Sequence, residues 1–138
     1  MSPVVRNIIA FVAGVVVGSI VNMGILMVGW SIVQPPEGMD PMNAESIAAS
    51  AHLLKPIHFL FPFLAHALGT FVGAFVAALI AASHKMTFAL AIGVLTLLGG
   101  IWAATMIPAP VWFIVLDLVL AYIPMAWIAG TLATRRSA

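Results

Sequence analysis

Cysteine is absent from the 138 residues, tyrosine occurs once, and charged residues make up 7% of the chain. The missing cysteine excludes disulfides, thiolate nucleophiles and thiolate metal sites. The scarcity of charge excludes a water-soluble surface, since soluble domains carry roughly 25% charged residues. A net charge of +1 leaves no basic patch for nucleic acid. No HExxH, no paired carboxylates and no nucleophile beside a base is present, so an enzymatic reading has little support and no cofactor is expected.

What remains is apolar. The hydrophobic fraction is 64% and the mean hydropathy is +1.21. A membrane-spanning helix needs about 20 mostly apolar residues. Four stretches qualify: Asn7–Val33, Ile57–Ser83, Met86–Ile107 and Pro110–Ala133. The first is much longer than the roughly 7–15 residues of a signal-peptide core, so it reads as a retained span. The expectation is an all-α integral membrane protein, a single domain over residues 1–138 with four transmembrane helices in an antiparallel bundle.

Charge placement predicts the orientation. Arg6, Lys85, Arg135 and Arg136 fall on one side if all four stretches span, and Lys55 falls alone on the other. The positive-inside rule then puts both termini in the cytoplasm of a bacterial inner membrane. Trp30, Trp102 and Trp112 sit near the outer helix ends and Trp127 near an inner one, as interfacial aromatics do.

The long outer loop covers residues 34–55. Pro35-Pro36-Glu37-Gly38 ends the first helix, and Asp40-Pro41 reads as an N-cap followed by a first-turn proline. These signals predict an amphipathic helix from about Pro41 to Leu54 on the periplasmic side, lying on the membrane or lidding the bundle. Glu45, His52 and His58 fall in or beside this segment and are weak candidates for a metal site, though their spacing matches no compact ligand motif.

Polar and small residues recur at helical spacing inside the apolar runs. Gly14, Gly18 and Asn22 share one face of the first helix, and His66, Gly69, Thr70 and Gly73 share one of the second. Small residues let helix backbones approach closely where hydrophobicity does not drive association. Gly14, Gly18, Gly69 and Gly73 are therefore expected to pack these two helices, turning Asn22 and His66 inward. At a rise of about 1.5 Å per residue, Asn22 and His66 lie roughly 14–15 Å from the outer boundary and Asp117 roughly 10 Å. The three are predicted to meet, with Thr70 and Tyr122 completing a hydrogen-bonded cluster. Pro124 is expected to kink the fourth helix and free a carbonyl near Leu120.

Ionisable residues at membrane depth are costly and mark ion and proton paths. The sequence accordingly suggests a small channel or carrier for a solute, ion or proton, working as a homo-oligomer because four helices leave little room for a pore. The alternative is an accessory or assembly subunit with a membrane-protein partner, in which the cluster only joins helices. The first helix lacks the glutamate of small multidrug exporters, and the missing cysteines rule out a vitamin-K-epoxide-reductase type.

Overall fold

The computed structural model describes residues 1–138. It is helical, without strands. Helix α1 spans Pro3–Ile32. It begins a turn before the predicted boundary because the Ser2 hydroxyl accepts from the Val5 N–H at 3.2 Å, with proline next to that cap, where its missing N–H is harmless. Helix α3 spans Leu60–Ile80 after a 3-10 turn at Pro56–Phe59, and α4 spans Lys85–Met106. The fourth apolar run is divided into α5, Val111–Leu120, and α6, Ile123–Arg136. Four helical stretches are long and apolar enough to cross a membrane: Pro3–Ile32, Pro56–Ile80, Lys85–Met106 and Val111–Arg136.

Two expectations need correction. The helix predicted from Pro41 to Leu54 is reduced to α2, Ala44–Ala49, and a separate 3-10 turn at Ala51–Leu53. Its cap is Asn43, whose side chain accepts from the Ser46 N–H at 3.0 Å, and not Asp40. Asp40 accepts from the Met42 N–H at 2.9 Å, and its own N–H donates to the Ser46 hydroxyl at 2.8 Å. These local bonds hold residues 40–43 in a turn. The second correction concerns Pro124, which was expected to kink a continuous helix. The helix instead stops at Leu120 and restarts at Ile123. Proline cannot donate to the Leu120 carbonyl and its ring crowds the preceding turn, but it fits the first turn of a new helix.

The bundle is built from small residues. Its largest core cluster contains Ala74, Ala77, Ala78, Ala89, Ala126, Ala129, Ala133 and Ile92. Large apolar side chains point outward, among them Val4, Ile8, Val12, Val16 and Ile20 along α1. The glycine stripes bring α1 against α3. A Cβ added at Gly14 would lie 2.7 Å from the Gly73 carbonyl oxygen, and one at Gly18 would lie 2.8 Å from that of Gly69. Neither position tolerates a side chain without parting the helices.

One end of the bundle is tied together by its cations. The Lys85 ammonium donates to the carbonyls of Ala78, Leu79 and Ala81 at 3.0, 3.2 and 3.0 Å. Arg6 Nε donates to the Ile80 carbonyl at 2.6 Å. Asn7 accepts from the Ala82 N–H at 2.8 Å and donates to the Ser83 hydroxyl at 3.1 Å. The last carbonyls of a helix have no intrahelical partner and carry partial negative charge. Lys85 and Arg6 satisfy those of α3, so this basic end is closed. Residues 34–55 cover the opposite end, the lid end.

The glycine contact yields a direct test. Gly18→Leu overpacks the α1–α3 contact and is expected to destabilise the protein by about 1–3 kcal/mol or more. Gly24→Ala, which meets nothing within 4 Å, is expected to be neutral or mildly stabilising, by up to about 1 kcal/mol. Thermal unfolding of both variants in detergent, followed by circular dichroism, checks the contrast.

Candidate functional site

The polar side chains meet at the lid end. His66 comes from the first half of α3, Asp117 from α5, and Tyr122 from the break between α5 and α6. His66 Nδ1 lies 2.8 Å from Asp117 Oδ1, the one close contact between a basic and an acidic side chain in the protein. The Tyr122 hydroxyl donates to Asp117 Oδ2 at 2.9 Å. The rings of His66 and Tyr122 stack with centroids 5.8 Å apart. Both carboxylate oxygens are thus engaged, and Asp117 is only 5% exposed. An ionised carboxylate only accepts, so Nδ1 donates to it, and Nε2 is an acceptor in the neutral ring and a donor in the imidazolium.

Each element is placed by its sequence. The helix break puts Tyr122 five residues after Asp117 yet beside its carboxylate, because the chain turns there instead of continuing the spiral. Gly100 on α4 makes room for the phenol: a Cβ there would lie 2.5 Å from the hydroxyl oxygen. The Gly18–Gly69 approach sets the rotation of α3, and with it the direction of His66.

The other predicted members stand apart. Thr70 is buried and donates to the Thr96 hydroxyl of α4 at 3.1 Å. Thr96 donates in turn to the carbonyls of Ile92 and Gly93 at 2.9 and 3.1 Å. This pair ties α3 to α4 and does not join His66. Asn22 is half-buried and joins neither the His66–Asp117–Tyr122 bonds nor the threonine pair. It lines a cavity that His66 also reaches. The sequence reading assigned no residue of α4, although Thr96 and the Gly99-Gly100 pair all border that cavity. Two adjacent glycines inside an apolar helix were the available signal.

Glu45, His52 and His58 do not assemble into a group that could hold a metal ion. Glu45 and His52 are exposed. His58 Nδ1 accepts from the Lys55 N–H at 2.8 Å, closing the turn before α3, and its ring stacks on Trp30 with centroids 6.4 Å apart.

Two cavities flank the cluster. The larger, about 320 Å³, lies between α1 and α4 above α3 and is bordered by Asn22, His66, Thr70 and Tyr122. The smaller, about 190 Å³, lies under the lid residues Pro41, Ile47 and Leu54 and is bordered by His58, His66 and Asp117. His66 faces both. Gly100 and Ala103 border both as well, while Asp117 borders only the lid cavity and Tyr122 only the larger one, so the bonded trio has members on both spaces. Such a trio can hold a proton and pass it between Nδ1 and the carboxylate. It contains no activated nucleophile.

Tyr122→Phe keeps the ring over Gly100 and removes one donor from a buried carboxyl. Hydrogen bonds are worth about 0.5–1.5 kcal/mol between neutral groups and about 1.5–3 kcal/mol to charged ones. The expected loss is about 1–3 kcal/mol, read by chemical or thermal unfolding in detergent against the parent protein. No protein-family model, no curated protein and no solved structure matches this chain.

Proposed function

We propose that the chain is a membrane-embedded carrier or channel in which a proton crosses between the two cavities through His66 and Asp117. The observation that carries this reading is that His66 is the one titratable residue bordering both cavities, beside Gly100 and Ala103, and that it is bonded to Asp117 on the lid side. His66 and Asp117 offer a titratable route from one cavity to the other, by which a proton passes without any helix moving. A larger solute needs the trio to part, and the break at Ala121–Tyr122 supplies the hinge. Broken helices beside midplane sites recur in transporters for the same reason.

The membrane setting is part of this reading. The outward-facing valine, isoleucine and methionine side chains of α1 suit hydrocarbon, and the closed basic end suits the cytoplasmic face. The bundle then stands antiparallel across a bacterial inner membrane with α2 on the periplasmic side, and it works as an oligomer.

One observation favours a second reading. Below Gly14 and Ile92 the bundle is filled with alanine, and neither cavity extends into that half. In an accessory subunit of a larger membrane complex, the trio would serve only to hold the helices together.

Proton flux into liposomes containing the purified protein, followed with an entrapped pH-sensitive dye, separates the two. Passage through the trio predicts flux above empty liposomes. It also predicts a fall of roughly tenfold or more in Asp117→Asn, the rate equivalent of about 1.4 kcal/mol. Flux unchanged in Asp117→Asn overturns the role given to Asp117. No flux from the parent protein, together with lower stability in Asp117→Asn, favours the accessory subunit.

A further inference from the structure

The larger cavity has a lining suited to more than proton exchange. Helices α1 and α4 both lean on α3 and scarcely touch each other. The space between them is therefore a crevice with α3 as its floor. Its rim is exposed at Ser19, Leu95 and Gly99, and its depth is polar at Asn22, His66 and Tyr122. No lysine, arginine, aspartate or glutamate lines it. A phosphate or carboxylate finds no permanent cation there, and an ammonium finds no anion. The lining suits an uncharged occupant.

The hydrogen-bonding groups narrow the class further. The His66 Nδ1 and the Tyr122 O–H are both spent on Asp117. With the imidazole neutral, what they leave toward the crevice is lone pairs: Nε2 of the ring and the oxygen of the phenol. The carboxamide of Asn22 adds one donor and one acceptor set, and the Ser19 hydroxyl sits at the mouth. The deep end thus offers mainly acceptors and calls for a head that donates. The rest of the mouth, at Val15 and Leu95, is apolar. A polar crevice facing hydrocarbon needs a polar occupant, since unpaired groups there are costly. At about 320 Å³ it holds a headgroup and the start of a chain, the rest of which stays in lipid.

We propose that the α1–α4 crevice binds the hydroxyl-bearing head of an uncharged amphiphile that enters sideways from the bilayer. Long-chain alcohols and quinols share this chemistry. The proposal rests on the membrane setting given above and not on proton passage.

Photolabelling of the protein in phosphatidylcholine vesicles tests it. The probes are a long-chain alcohol carrying a diazirine near its hydroxyl, and the methyl ether of the same compound, which cannot donate. The alcohol is expected to label residues 15–22 of α1 and 95–103 of α4 roughly tenfold more than the exposed α5 residues Val115 and Val119. The methyl ether is expected to lose that preference. So is Gly99→Leu, whose new side chain enters open space, with nothing within 4 Å of its Cβ, and fills the crevice. Competition by an unlabelled short-chain quinol against an unlabelled alcohol shows which head is preferred. Equal labelling of crevice and α5, equal labelling by the ether, or labelling unchanged in Gly99→Leu each overturns the proposal. Label on Val115 and Val119 reports insertion on its own. Its presence without crevice label defeats only this proposal, and its absence defeats the membrane setting itself.

Discussion

The carboxyl of Asp117 dictates the arrangement of the lid end. It is the one acid inside an apolar run, and it is almost fully buried. A carboxylate removed from water must be paired and hydrogen-bonded, or it is expelled or neutralised. Each partner here comes from a different stretch of chain: His66 from α3, and Tyr122 from beyond the end of α5. The second demands that the fourth apolar run be interrupted, which Pro124 arranges. The phenol in turn demands an absent side chain on α4, which Gly100 supplies. One acid therefore links α3 to both halves of the fourth run, and no buried side-chain polar atom is left without a partner.

The remainder of the packing follows from residue size. Toward the basic end, alanine faces alanine across α3, α4 and α6, and Lys85 and Arg6 close the α3 terminus. That half is dense. Toward the lid end the side chains between the helices are larger, with Phe59, Phe113 and Trp112 in mutual aromatic contact. Phe59 and Phe113 border the lid cavity, and the larger cavity opens where α1 and α4 stand apart over α3.

The stripes Gly14–Gly18 and Gly69–Gly73 were legible because helical period and small size are local properties, and they locate the α1–α3 contact without a structure. The approach of His66 to Asp117 was legible from depth alone, since both fall in the same half of their runs. Membership of the cluster was not. Thr70 shares a stripe with His66, yet it turns to Thr96 on a helix to which the sequence reading assigned no polar role. Asn22 has the right depth but lies across a crevice from the trio. Separation between helices is not written in any one of them. The lid was misjudged for a different reason: Asp40 and Asn43 both carry a capping signal, and only the competing turn bonds of Asp40 select Asn43.

By itself the sequence determined the number of long apolar helices, their ends to within about a turn, and which faces are small enough to pack. Transfer energy, helical period and proline's missing N–H act residue by residue and add along the chain. Only the tertiary structure decided which polar groups meet, that the fourth run breaks between Leu120 and Ile123, and which residues border the two cavities beside the trio. Those outcomes depend on the rotation and spacing of helices relative to one another. Contacts between residues distant in the chain set both, among them Gly18 with Gly69, Gly100 with Tyr122 and Lys85 with the end of α3.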